Sequence, residues 1–222
     1  MNQFNSVVAT RPNADVANKV LKNTYILLSA TLAFSAVMAL VSMSLAVPPI
    51  AYMISVIASM VLGIFVLPRT ANSSTGIGVI FLVTGLLGFG LGSILSMYLA
   101  LPKGPEIIAT AMGGTGIIFL GLSAYAMTTK RDFSFMGGFL FAGMMVLVIA
   151  MLANIFLEMP ALAMAVSGGI ILVMSGFILF DTSRIINGGE TNYIIATYGL
   201  YLSIFNIFIS LLNLLGMMSN DD

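Results

Sequence analysis

The stretch that decides the fold covers residues 180–215 and reads FDTSRIINGGETNYIIATYGLYLSIFNIFISLLNLL. It opens with a single acid, Asp181, crosses the pair Gly188-Gly189, and ends as a long run without charge. Small and polar residues recur in that run at steps of three or four, which places them in one stripe along an α-helix. This polar stripe consists of Asn192, Ala196, Gly199, Ser203, Asn206, Ser210 and Asn213. A helix of this kind in lipid is expected to turn its stripe toward protein or water.

Charged residues are scarce in this chain and are grouped between long apolar intervals. Only 7% of the 222 residues are charged, whereas soluble domains carry roughly a quarter. Each uncharged interval supplies the about 20 residues that a membrane-crossing helix needs. We predict an all-α membrane protein, a bundle of seven transmembrane helices with the seventh helix central. The expected spans are residues 24–46, 50–67, 76–100, 107–127, 133–156, 161–180 and 193–215.

The two ends of the chain differ from this apolar body. Residues 1–22 are polar and rich in Asn, which predicts a flexible cytoplasmic tail ahead of a transmembrane domain over residues 23–218. Lys and Arg favour the cytoplasmic side of a membrane protein. If the amino terminus is inside, Lys103 is the only one of the eight Lys and Arg residues that lies outside. We therefore expect a cytoplasmic amino terminus and a periplasmic carboxyl terminus. The basic residues then placed inside are Arg11, Lys19, Lys22, Arg69, Lys130, Arg131 and Arg184.

The composition excludes several classes of catalytic and metal site. The chain has no Cys and no His, so disulfides, thiol nucleophiles, imidazole bases and the usual zinc sites are absent. An intramembrane aspartyl protease needs two aspartates at membrane depth, and the sequence offers only Asp181. A net charge of zero gives no reason to expect a nucleic-acid partner. We predict a protein that is not an enzyme and that holds no cofactor or metal.

Five residues are candidates for a pH-sensing site or an ion pathway. Asp181 directly follows the charge-free sixth span and precedes Arg184 by one helical turn. Its carboxylate either ends a pathway and alters bundle packing when it is protonated, or is a helix-end group that pairs with Arg184 or is solvated. Arg69 is expected at the same depth, either bonded to Asp181 or simply in a cytoplasmic loop. Ser203 and Asn206 are the candidates from the polar stripe.

Four stretches of the chain resemble the Bax inhibitor-1 (TMBIM) family, and more closely its bacterial YccA-like branch. The longest, residues 179–216, includes every residue of the polar stripe. The three others are VLKNTYILLSATLAFSA (20–36), GGTGIIFLGLSAYAMTTKRDFSFMGG (113–138) and NIFLEMPAL (154–162). Together they extend the resemblance over nearly the entire chain.

The family resemblance implies a bundle in which six helices surround the seventh. It also implies, for some members, a pH-sensitive calcium leak controlled by two aspartates near the cytosolic ends of the last two helices. Asp181 matches the first of these. The family pattern LYLDFxN reads LYLSIFN here, so Ser203 occupies the second position. A single carboxylate provides neither a paired proton switch nor an anionic cage for calcium, which argues against calcium conduction.

The YccA-like branch implies an inner-membrane protein that is both substrate and modulator of FtsH, a membrane-anchored AAA protease. A polar, unstructured tail is a suitable handle for an ATP-driven unfoldase, and residues 1–22 fit that description. The expected function is therefore the binding and modulation of FtsH in the lipid bilayer. The alternative is a cation leak, for calcium or protons, gated at Asp181.

Overall fold

The computed structural model describes residues 14–219, and this part of the chain contains helices and no strand. Seven of its helices are long and apolar enough to cross a membrane. They are α1 (Ala14–Ser44), α2 (Ile50–Thr70), α3 (Ser74–Leu99), α4 (Gly104–Thr129), α5 (Gly137–Leu157), α6 (Pro160–Ile186) and α7 (Tyr193–Ser219). The predicted class and number of spans are confirmed.

Helix α1 begins earlier than the sequence suggested. Residues 14–22, predicted as part of the tail, are its first turns, while residues 1–13 lie outside the described range. Ala17 and Val20 are buried and lie three residues apart, which places them on the same side of the helix. This segment therefore has an apolar face although many of its residues are polar. Asp15 lies in the first turn, where a negative charge favours the helix dipole. Helix α1 therefore starts before residue 23.

Helix α2 is irregular in its second half. Its regular part, Ile50–Val61, is followed by a π-helical turn over Leu62–Val66 and a last α-helical turn over Leu67–Thr70. Pro68, expected in a connection, lies inside this last turn. Proline has no N–H group to donate, so it interrupts the regular hydrogen bonds of an α-helix, and the wider π-helical turn lies just before it. The helix therefore continues past the predicted end.

Helix α7 lies at the centre of the bundle. It packs against α1, α3, α4 and α6, and half of the residues in its most apolar stretch are buried. The two remaining helices lie further out, since α2 packs mainly on α3 and α5 packs mainly on α6. Four of the six helices thus pack closely on α7, and α2 reaches it where the Tyr198 side chain lies against Gly63.

The polar stripe of α7 faces the interior along most of its length. Ala196, Ser203 and Ser210 are buried, and Asn192, Gly199 and Asn206 are half-buried. Asn213, near the end of the helix, is exposed and accepts a hydrogen bond of 3.1 Å from the Tyr98 hydroxyl. The predicted orientation of the stripe is confirmed except at this last position.

A buried tyrosine ties three helices together at the centre. The Tyr201 side chain is 1% exposed, and its hydroxyl donates to the Thr84 carbonyl on α3 at 3.2 Å. The same hydroxyl lies 2.6 Å from Ser35 Oγ on α1. Because buried polar groups are costly without partners, these bonds help to fix the positions of α1 and α3 against α7.

The Tyr201→Phe variant is expected to lower the free energy of unfolding by about 1 kcal/mol, since it leaves the Ser35 hydroxyl without this partner. Thermal unfolding of the purified protein in detergent would measure the change. Tyr125→Phe is the matched control, because Tyr125 is 47% exposed and no described hydrogen bond uses its hydroxyl. Equal midpoint temperatures of unfolding for the two variants would contradict a stabilising role for the Tyr201 hydrogen bonds.

Candidate functional site

Asp181 lies within a helix rather than beyond its end. Helix α6, predicted to stop at Phe180, continues to Ile186 and carries Asp181 inside the bundle, half-buried. Its Oδ2 lies 2.7 Å from the position that a Cβ on Gly199 would occupy. The absent side chain of Gly199 therefore gives this carboxylate its room against α7.

Arg184 pairs with Glu190 and not with Asp181, although a pair with Asp181 was one of the alternatives that the sequence left open. Its Nη2 atom lies 3.6 Å from Glu190 Oε2, in the single ion pair among residues 14–219. The guanidinium also donates to the Gly189 carbonyl at 3.1 Å and lies 5.3 Å from the centre of the Phe180 ring. Arg184 thus fastens the turn between α6 and α7.

The three remaining candidates lie on α2 and α7. Arg69 is exposed at the end of α2 and has no ion pair within the described range, which favours its interpretation as a loop-side cation. Ser203 is buried on α7, about one turn beyond Gly199. Asn206 donates to the Leu202 carbonyl at 2.8 Å and lines a cavity of about 330 Å³. Neither Asp181 nor Ser203 lines that cavity.

The region around Asp181 provides no set of ligands for a cation. Within residues 14–219, no three Asp, Glu, His or Cys side chains converge. Calcium takes six to eight oxygen ligands, several of them carboxylates. What the arrangement offers instead is a lone carboxylate at the contact between α6 and α7, where a change in its size or charge acts directly on helix packing.

The connection between α4 and α5 is fastened to α6 next to Asp181, a feature that the sequence did not reveal. Ser183 Oγ accepts a bond of 2.9 Å from the Phe133 N–H and donates to the Arg131 carbonyl at 3.1 Å. Within the same loop the Ser134 hydroxyl and N–H donate to Asp132, and these bonds hold the pKa of its carboxyl below the usual range. Ser183 therefore anchors the α4–α5 connection.

The Ser183→Ala variant is expected to free this connection, because it removes both side-chain bonds to the loop backbone. Trypsin should then cut after Lys130 or Arg131 several-fold faster in opened membranes, as local opening controls cleavage. The control is Thr128→Ala, whose exposed hydroxyl bonds only within its own helix, to the Ala124 carbonyl. Cleavage as slow as in this control would contradict an anchoring role.

Asn192, predicted as part of the polar stripe, fastens a second connection on the same side. Its Oδ1 accepts from the N–H groups of Ile194 and Ile195 at 2.9 and 3.2 Å, which caps the start of α7. Its Nδ2 donates to the Ala71 carbonyl at 3.0 Å and to the Asn72 side chain at 2.9 Å. Asn192 thus ties α7 to the α2–α3 connection.

Comparison with known proteins places this architecture in a family. Residues 17–220 match the family described as "Inhibitor of apoptosis-promoting Bax1". The chain is 52% identical over 204 residues to "Modulator of FtsH protease YccA" of Escherichia coli K12, covering 92% of each chain. It is 52% identical over 205 residues to an uncharacterized membrane protein of Vibrio cholerae, again with 92% of each covered. An uncharacterized protein of Pseudomonas aeruginosa is 44% identical over 221 residues, 99% of this chain and 97% of that one. The chain therefore belongs to the Bax inhibitor-1 family.

Proposed function

We propose that this chain is a bacterial inner-membrane protein that binds and modulates an FtsH-type membrane protease and is itself a substrate of that protease. The observation that carries the proposal is the 52% identity, over 92% of both chains, to the Escherichia coli protein named a modulator of FtsH protease. A second Escherichia coli relative, equally similar, is named an inner membrane protein. No catalytic step is assigned to this chain in the proposal.

The packing of the bundle suggests how such a protein could act on a protease. In the proposal, the protease engages the chain through residues 1–13, which precede the first described helix. Behind them, α1 is packed tightly on α3 and α7, with backbone contacts at Gly88 and Gly92. A bundle that resists extraction would occupy the protease and slow its action on other substrates. The proposal places the amino terminus in the cytoplasm and the carboxyl terminus in the periplasm.

Reconstitution tests this proposal. The purified chain and FtsH are placed together in liposomes with a known membrane substrate of the protease, and ATP-dependent loss of that substrate is followed. Degradation should slow as the ratio of this chain to FtsH rises, and the two proteins should co-purify. An unrelated seven-helix protein at the same lipid ratio serves as the control. Unchanged degradation together with no co-purification would overturn the proposal.

Deletion of residues 2–13 is expected to lengthen the half-life of the chain in cells severalfold, because the protease loses its handle. This deletion spares Ala17 and Val20, which pack inside the bundle, whereas removal of residues 2–20 would also disturb α1. The control replaces residues 2–13 with the same residues in scrambled order and should be degraded normally. A half-life unchanged by the deletion would argue against capture at the amino terminus.

A pH-sensitive leak of calcium or protons, gated at Asp181, is the second candidate function. The contact of the Asp181 carboxylate with Gly199 favours it, since protonation there would alter the packing of α6 against α7. Ser203 in place of a second acid weighs against it. Calcium flux and proton flux into liposomes, each compared between the unmodified chain and Asp181→Asn, decide between the two functions. Absence of flux from the unmodified chain would remove the leak candidate.

A further inference from the structure

The half of the bundle opposite Asp181 contains a cleft whose lining combines apolar side chains with several polar ones. Two adjoining cavities, of about 440 and 330 Å³, share Ala163, Ser167 and Asn213 in their walls. The larger begins at Tyr98 and Met217, near the face of the bundle where α3, α5 and α7 end. The smaller continues inward along α7. We call the two together the vestibule, and the face at which it begins the outer face.

Six of the twelve residues that line the inner cavity have polar side chains, and none of the twelve is charged. Its polar lining residues are Tyr52, Asn154, Ser167, Asn206, Ser210 and Asn213. Within the described part of the chain, no Asp, Glu, Lys or Arg contributes to the lining of either cavity. Amides and hydroxyls at membrane depth are costly when they face lipid chains, so a cleft with this lining is suited to water or a polar solute.

Hydrogen-bonding capacity in the vestibule is only partly used. Asn206 donates to the Leu202 carbonyl, which leaves its Oδ1 as an acceptor. Asn154 uses its Oδ1 to accept from the Met159 N–H, which leaves its Nδ2 as a donor. Described bonds do not involve the side-chain hydroxyl of Ser210. The wall therefore presents both donors and acceptors toward the cavity.

We propose that the vestibule is a water-filled binding site, open at the outer face, for small uncharged solutes that both donate and accept hydrogen bonds. Two features determine this class. Amides and hydroxyls match neutral polyols, amides and water, and a wall without charge gives an ion no compensation for its lost hydration. The innermost α7 residue of the wall is Asn206, about two turns from Gly199. The site is thus separate from the Asp181 contact and independent of the proposed function.

Cysteine labelling tests the vestibule, because the chain has no cysteine of its own. Single variants are made at Ser210 in the vestibule wall, at Ile149 on α5, and at Lys103 in an outer loop. Ile149 is 62% exposed on the lipid-facing surface and lies at similar depth, each being roughly two turns from its helix end. Membranes are opened so that both faces meet the reagent. Three thiol-reactive methanethiosulfonates of similar size are compared: neutral hydroxyethyl, anionic sulfonatoethyl and cationic trimethylammonioethyl.

The neutral reagent should modify Ser210→Cys within about tenfold of the rate at Lys103→Cys, and should modify Ile149→Cys far more slowly, since a thiol in lipid does not ionise. Relative to the loop position, both charged reagents should react at least about tenfold more slowly than the neutral one at Ser210→Cys. If Ser210→Cys reacts as slowly as Ile149→Cys, the vestibule is not hydrated and the proposal falls. If charged and neutral reagents react equally, the proposed solute class is wrong. Ser167→Cys, on the facing helix, repeats the measurement should the first variant fail to fold.

Discussion

Alanine in place of Gly88 is expected to cost about 3 kcal/mol of folding free energy and to reduce strongly the amount of protein in the membrane. A Cβ at this position would lie 2.2 Å from the Ser35 carbonyl oxygen and 2.7 Å from the Ser35 Cα, both backbone atoms of α1. Backbone cannot rotate away as a side chain can, so α1 and α3 must separate. Their separation also pulls Ser35 away from Tyr201, which weakens the central hydrogen bonds.

Unfolding of the purified variants in detergent, followed by circular dichroism, measures this effect. Gly113→Ala in α4 is the matched control, because no atom lies within 4 Å of the position its Cβ would take. Alanine is the better helix former by up to about 1 kcal/mol, so this control should be neutral or slightly more stable. Comparable stability of Gly88→Ala and Gly113→Ala would show that α1 and α3 are not in close contact.

Glycine spacing was a partial guide to the packing of these helices. Gly85, Gly88 and Gly92 follow one another at steps of three and four, which places them on one face of α3, and all three lie against α1. Gly113 and Gly116 in α4 have similar spacing but face open space instead. Spacing within one helix determines which residues share a face, but whether a neighbour lies there depends on how the whole bundle assembles.

The number of spans followed from the charge distribution, whereas their ends did not. Helix α6 passes through Asp181 and Arg184 because Glu190 and the Phe180 ring provide a place for the arginine, and Gly199 provides one for the acid. These are contacts between elements, which composition alone does not indicate. The sequence therefore predicted that the sixth span ends before Asp181, whereas Asp181 lies within helix α6.

The candidate site was predictable as a set of residues and not as an arrangement. Periodicity identified Gly199 and Asn206 as members of one stripe, and the lone acid identified Asp181. That Asp181 meets Gly199, while Asn206 faces a separate cavity, depends on the offset between α6 and α7. Tyr201 was overlooked because its hydroxyl is unremarkable within an apolar run, although it joins three helices.

The Gly199→Ala variant is expected to destabilise the protein by about 2 kcal/mol, and Asp181→Ala in the same chain should reverse most of that loss. The added Cβ would lie 2.7 Å from Asp181 Oδ2, which is closer than van der Waals contact allows, so the carboxylate or the helix must move. Removing the carboxylate vacates that space. Unfolding of the two single variants and the double variant gives the coupling energy, which should exceed about 1 kcal/mol.

Two comparisons make this cycle specific. Gly116→Ala combined with Asp181→Ala should give additive effects, because the Gly116 position is open. Asp181→Asn keeps the shape of the side chain and removes its charge, so a Gly199→Ala variant should remain destabilised in that background if the contact is steric. Rescue by Asn as well as by Ala would instead assign the conflict to the charge of the carboxylate. Additivity of Gly199→Ala and Asp181→Ala would mean that the acid does not lie on α7, and a gate built on that contact would have no physical basis.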